Sequence, residues 1–416
     1  MRRIIFFFAV VFALTLPFIT PGTAGLYAAD HGILLNMELD VDGADETHTR
    51  GTIIIAPWIS FAFESSELYI SAGLNTSISK DNYFAPELFR LEYSSWKHDK
   101  LSFRFGRITW QDPSRLIAKG RFDGADLRYS TGKINLGFNL LYTGLLFKDT
   151  AYINVSPTDK DYSENFDWSD FANTYFAPRR LLTSLYGEFP GFPRGRGLFY
   201  ASLLAQFDLS GASEKYHTQY LLLRHVLVYE AFDLTLSGAA AFAPSAERAT
   251  ASKGSPPGNT EANGIKPAFA FSINGGWQTP SSIEDRLSLG IAWASGKGAS
   301  TAAFFPITRE AMSLILKPAF SGIMIIRLDY IASLKPSLTA ELGALYFIRA
   351  DSTSFIAPYL RSDSYPLGLE LNTGLVWVPF SDLAFTINGG IFFPSSAWAD
   401  DAPFLWRLTL GTTFSF

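Results

Sequence analysis

The chain has 416 residues, 48% of them hydrophobic and 15% aromatic, with 37 Phe and no Cys. Without cysteine there is neither a disulfide framework nor a thiol for lipid modification. Of 34 basic residues two, Arg2 and Arg3, sit at the amino terminus; the other 32 face 39 acidic ones, and that net of −7 argues against nucleic acid as a partner.

The first predicted element is a leader. Met1-Arg2-Arg3 precedes an apolar run from Ile4 to Ile19 and the small-residue stretch PGTAGLYAA. These are the parts of a secretory signal peptide within residues 1–29, removed after Ala24, Ala28 or Ala29. The mature chain then starts between Gly25 and Asp30 and forms one domain over 30–416. No later segment has the roughly 18 uninterrupted apolar residues of a membrane-spanning helix.

Strands come next. In GILLNMELDV, Ile33, Leu35, Met37 and Leu39 fall on one parity, and Asn36, Glu38 and Asp40 on the other. Such alternation marks a strand with one apolar and one polar face. DGADETHTR makes a long polar connection, whereas ESSE after Phe63 and KHDK after Trp96 are short turns. Arg90 and Glu92 share the polar parity of the strand between those two turns.

The stretch FRFGRITWQDPSRLIAKGRFDGADLRY, Phe103 to Tyr129, is more individual. Two strands flank a loop, with Gly-Arg at one end and Phe-Asp-Gly-Ala at the other. Gly106, Arg107, Asp112, Phe122, Asp123 and Gly124 together resemble the GR…D…FDG segment of alginate-export-type outer-membrane porins, barrels of roughly 18 strands. The resemblance implies a porin-like channel and, for that family, an anionic polysaccharide in a basic pore. Here the inward parity carries five arginines (Arg90, Arg104, Arg128, Arg327, Arg407) against seven carboxylates (Glu38, Asp40, Glu92, Asp126, Asp329, Glu341, Glu370). A basic pore is therefore not reproduced. Asp123, beside Gly124, is expected to hydrogen-bond the loop backbone and fold it inward.

After the STGK turn, residues 148–178 form a long, aromatic-rich connection with Tyr152, Phe166, Trp168, Phe171, Tyr175 and Phe176. GEFPGFPRGRG, 187–197, is a longer turn or a displaced strand boundary. His217 and His225 share a strand with Arg224, but no acid and nucleophile frame either. EAFD is short, the connection 243–265 is long, and TREAMSLIL predicts one short helix in a loop. SLTAELGALYFI, LGLELNTGLVW and DLAFTINGGIF alternate again, and LWRLTLGTTFSF continues the pattern to Phe416. Trp96, Trp277 and Trp377 at short-turn ends, with Trp110, Trp293 and Trp406 near long-loop ends, predict two interfacial belts.

The expected fold is all-β: a transmembrane up-and-down antiparallel β-barrel of about 18 strands, in the range 16–18. A closed barrel has no free edge, so the last strand must pair with the first. Its aromatic end at Phe416 resembles the signal that such barrels show to their insertion machinery. The expected function is an outer-membrane, porin-like channel for passive diffusion of small hydrophilic or anionic solutes. Candidate lumen contacts are Arg90, Glu92, Arg104, Asp126, Arg128, Arg327, Asp329, Glu341, Glu370 and Arg407. The pairs Arg90–Glu92, Asp126–Arg128 and Arg327–Asp329 are two residues apart and so share a face, which suits ladders bracing the wall. Alternatives are a scaffold displaying surface loops and a barrel-embedded hydrolase. No catalytic residue, cofactor or metal is expected; membrane lipid is the other expected partner.

Overall fold

A computed structural model describes residues 26–416 apart from 45, 79–82, 97–99, 155–165, 194, 212–214, 216, 244–265, 299, 352–359, 362–363 and 400–401. Eighteen strands form one antiparallel sheet closed on itself. The first six are β1 (Leu26–Gly43), β2 (Thr47–Phe63), β3 (Ser66–Ile78), β4 (Tyr83–Ser95), β5 (Leu101–Gln111) and β6 (Lys119–Ser130). Then come β7 (Asn135–Tyr142), β8 (Arg180–Pro190), β9 (Gly197–Asp208), β10 (Thr218–Tyr229), β11 (Phe232–Ala243) and β12 (Lys266–Gln278). The circuit ends with β13 (Arg286–Ala294), β14 (Ile323–Lys335), β15 (Leu338–Arg349), β16 (Pro366–Phe380), β17 (Leu383–Pro394) and β18 (Leu405–Ser415).

Each strand pairs with its sequence neighbours, and β18 pairs with β1 from Leu34↔Ser415 to Gly43↔Trp406. Phe416 completes that rung, its carbonyl accepting from the Ile33 N–H at 2.8 Å. The expected closure is thus present, and it leaves no strand edge to aggregate.

The faces follow the pleat. On β9, Leu203 is 60% exposed while Leu204 is 2% exposed. Outward leucines, phenylalanines and isoleucines recur around the circumference, including Phe105, Leu185, Leu289, Leu342 and Ile387. Rows of exposed apolar side chains on this scale suit lipid tails rather than water. Connections are short at one rim (64–65, 230–231, 336–337, 381–382) and include the long 143–179 and 295–322 at the other. The long connection expected over DGADETHTR is only residues 44–46, because Asp42 and Gly43 pair with His48 and Thr47 in the β1–β2 ladder. In the Pro-Gly-rich stretch the turn is Gly191–Arg196, with φ of 78° at Gly191 and 80° at Gly195, and the preceding residues belong to β8.

Two further expectations need correction. No helix forms over 308–316; the helices lie instead in the β7–β8 loop, as α1 (Lys148–Ala151) and α2 (Phe171–Thr174). Trp110 is no belt residue: it points inward, edge-on to Phe122 and 5% exposed.

Candidate functional site

The lumen is shaped by a hairpin that leaves the wall. β4 and β5 pair only from Ser95↔Phe103 to Leu91↔Arg107, and β6 pairs with β7 only as far as Asp123↔Tyr142. Beyond those rungs β5 and β6 are bonded to each other alone, out to Gln111↔Lys119. Gly106 permits the departure. Its φ is +114°, and a Cβ there would collide with the Leu91 carbonyl. The free end of the hairpin lies inside the barrel. Ile108 and Phe122 are fully buried in one cluster with Leu182, Leu204 and Leu222 on the inner face of β8, β9 and β10.

Arg107 locks the hinge. Its Nε and Nη2 donate to the two oxygens of Asp123 (2.7 and 2.8 Å), Nη1 to the Leu88 carbonyl (2.7 Å), and Nη2 also to the Leu145 carbonyl (2.9 Å). One planar guanidinium thereby ties β6, β4 and the β7–β8 loop. Asp112, not Asp123, folds the loop tip: it accepts from the N–H groups of Ile117 (3.0 Å) and Ala118 (2.9 Å) and from the Ser114 hydroxyl. Burial pushes the Asp112 carboxyl above its ordinary range, and those hydrogen bonds oppose the shift. The expected job is done, by a different carboxylate.

The strip of wall that the hairpin vacates is closed by the β7–β8 loop. Phe147 and Tyr175 pack on Ala85, with Tyr83, Phe166, Phe171 and Phe176 around them. The carbonyls of β4 that β5 would have paired find side chains instead: Trp168 Nε1 on Phe84 (2.9 Å), Tyr175 OH on Pro86 (2.7 Å) and Arg107 on Leu88. Glu87 faces the same loop and accepts from Thr150 (2.6 Å), Asn75 (3.1 Å) and Arg121 (2.7 Å).

Three inward segments then interlock. The Ile307 N–H donates to the Ile117 carbonyl (2.8 Å), the Asn154 N–H to Ile307 (2.9 Å), and Tyr220 OH to Phe305 (2.8 Å). They join the tip of the hairpin, the loop after α1 and the β13–β14 loop into a partition across the lumen. The second anchor of the β13–β14 loop is Glu370, whose carboxylate accepts from the N–H groups of Leu314, Ile315 and Leu316.

Of the lumen candidates, most lie in ion pairs. Arg90 meets Glu92 (3.0 Å), Arg128 meets Asp126 (3.1 Å) and Arg327 meets Asp329 (2.6 Å), as their spacing implied. Pairs across the ladder add to these: Arg104–Asp126 (2.6 Å), Arg407–Asp40 (2.6 Å) and Arg327–Glu341 (3.6 Å). Glu370 departs from expectation. Its parity is inward, but it is 0% exposed beneath the loop and touches no open lumen. Gly124, rung partner of Gly106, and Phe122 serve the hinge and the packed interior.

Two arginines without a carboxylate partner were not among the lumen candidates. Arg115 stands exposed at the hairpin tip with φ of 62°, and Arg224 projects from β10. Each feels the other's charge, and neither pairs with a carboxylate among the described residues. Arg224 Nε is buried without a hydrogen-bond partner. The two histidines have modest roles: His217 Nδ1 accepts from the Asp208 N–H, and His225 lies 3.3 Å from the Phe192 carbonyl. Among the described residues no three His, Asp or Glu gather as metal ligands.

No family model matches the chain, and no curated protein sequence does. Its fold is nonetheless found among solved structures. The outer-membrane protein OprD of Pseudomonas aeruginosa superposes with a TM-score of 0.56 at 13% identity, over 95% of this chain and 96% of that one. OccK5 (OpdH) of the same organism gives 0.59 at 12% identity, over 95% and 99%. OccK2 (OpdF), solved in complex with glucuronate, gives 0.58 at 12% identity, over 95% and 100%. At such identities the likeness is one of fold: a closed 18-stranded antiparallel β-barrel.

Proposed function

We propose that this barrel sits in the outer membrane and passes small hydrophilic solutes by passive diffusion, favouring anions. The observation that carries the preference is the meeting of Arg115 and Arg224 at the partition with no ion pair to either among the described residues; the buried Asp112 carboxylate, whose charge reaches Arg224, is already taken up by the N–H groups of Ile117 and Ala118. Like charges repel, and a passing carboxylate or phosphate at the exposed Arg115 guanidinium relieves that repulsion. The arginines named from the strand pattern are already paired with carboxylates, so the selective charge is placed at the hairpin tip. The glucuronate bound to OccK2 is an anion of the size this reading calls for.

Reversal potential in a salt gradient across a planar bilayer tests it. R115Q/R224Q should move selectivity toward cations, and the shift should shrink as salt rises, since the screening length falls from ~10 Å at 0.1 M to ~3 Å at 1 M. An unchanged potential would overturn the anion preference. The display-scaffold alternative loses ground because Phe166, Phe171, Tyr175 and Phe176 of the β7–β8 loop pack in the wall, although Tyr152 and Trp168 are exposed; residues 155–165 and 244–265 lie outside the described ones. Export is proposed to remove a leader, and removal after Ala24 leaves the ladder that begins at Leu26↔Phe63 whole. Phe414 and Phe416, on the outward face of β18, are the proposed handle for the insertion machinery.

A further inference from the structure

Three consecutive backbone N–H groups converge on one buried carboxylate. Glu370 accepts from Leu314 (2.8 Å), Ile315 (3.2 Å) and Leu316 (3.0 Å), and the Asn372 amide adds a fourth donor at 3.0 Å. No cation pairs with it among the described residues, so its charge is balanced by peptide dipoles, an anion nest turned toward the protein's own loop. A buried carboxylate this well supplied with donors is strongly preferred over the same group left bare. On the same stretch of wall, Ile315 packs against Gly390, the rung partner of Asn372, where a Cβ would approach its Cδ1 to 3.1 Å. Ile315 also lines a cavity of about 530 Å³ shared with Asp42, Glu46 and His48 near the β1–β2 connection and with Leu405 and Trp406 of β18. The segment is thus latched on one flank and borders empty space on another. The preceding stretch, 305–308, is held separately by Ile117, Asn154 and Tyr220.

We propose that Glu370 is a positioning residue for conduction: its carboxylate holds residues 311–317 in the lumen, and without it that segment relaxes into the neighbouring cavity and widens the aperture. The proposal rests on the channel function above. Glu370→Gln keeps the volume but turns one acceptor oxygen into a donor that faces other donors. The loop remains tethered at 305–310, where the Arg309 N–H donates to the Tyr152 carbonyl and Lys119 pairs with Glu310, so the change is confined to the part that follows.

The absence of native cysteine lets one introduced at exposed Ala311 carry a spin label uniquely, with Ala172 of α2 as the control position. In full-length refolded protein, E370Q should convert the Ala311 label from a restricted to a fast line shape and leave the Ala172 label unchanged. Single-channel conductance should rise while the heat-modifiable mobility of the folded barrel stays as in the parent. L316P, which deletes one of the three N–H donors and also takes the Leu316 side chain off the interior cluster, is the second variant and should act in the same direction. A label that stays restricted in both E370Q and L316P, or a freed label with unchanged conductance, overturns the proposal. Absence of conductance in the parent protein would strike the channel function instead, and the spin-label arm would still decide whether Glu370 is a latch.

Discussion

Charge in this lumen divides into residues that hold the wall and residues that meet what passes, and partnering separates the two. Asp126 is 1% exposed and takes Arg104 and Arg128 on the same oxygen. R104Q strips its shorter contact, with an expected cost of about 3 kcal/mol in denaturant unfolding, as for breaking a largely buried pair. R115Q has no partner to orphan and should stay within about 0.5 kcal/mol of the parent, the usual range for an exposed site. Alternation in the sequence brought out the pairs two apart, Arg90–Glu92, Arg128–Asp126 and Arg327–Asp329, because such residues must share a face, but not the cross-strand pairs Arg180–Asp208, Arg286–Asp233 and Arg121–Glu87. It missed Arg224 because the inward neighbours Tyr220 and Leu222 are apolar, there to pack against folded-in loops, and so the polar face of β10 does not read as polar. It missed Arg115 because a loop tip has no parity. Asp285, in the β12–β13 turn, carries a pH consequence. Hydroxyls of Ser281, Thr279 and Tyr330 hold its carboxyl down from an ordinary 3.8 to about 2. A depressed carboxylate stabilises the fold above its ordinary pKa, and that contribution is lost as pH falls from about 4 through about 2. Acid unfolding followed by tryptophan fluorescence should show this limb in the parent and lose it in D285N.

Among elements, the β5–β6 hairpin was the best marked in the sequence and the least well understood from it. Four of its six motif residues, Gly106, Arg107, Asp123 and Gly124, stand where the hairpin turns from wall into lumen, and the glycine and the ion pair divide the work. Gly106 supplies a backbone conformation closed to other residues, so G106A should abolish the heat-modifiable folded form outright. R107A leaves Asp123 unpaired and frees the carbonyls of Leu88 and Leu145, so the barrel should form but hydrogen exchange should accelerate along residues 108–122. Protection unchanged there would mean that the interior cluster, not the hinge, holds the hairpin. Nothing in local sequence foretold the direction of the turn: a strand-loop-strand pattern is the same whether the tip points to solvent or doubles back. The helix expected over 308–316 failed for a related reason, since Glu370, more than fifty residues away in sequence, takes the N–H groups that a helix would have used.

On the scale of the whole molecule the legible part was large. Strand number, closure, the short and long rims and the outward apolar face all follow from period-two alternation with turns of unequal length, and these need no knowledge of tertiary contacts. The rims give a topological test. A cysteine at exposed Ser381 on the short-turn side should resist an impermeant maleimide on intact cells, and one at Ala172 should react; the reverse pattern would invert the orientation. The wall itself is uneven. At its short-turn end every rung is peptide bonded to peptide, whereas beyond Leu91↔Arg107 one panel is made of aromatic rings and three side-chain donors. A graft that replaces the β7–β8 loop with foreign sequence is therefore surgery on the hull, not on a decoration at the mouth, and such a chimera should leak before it shows any change in what binds its surface.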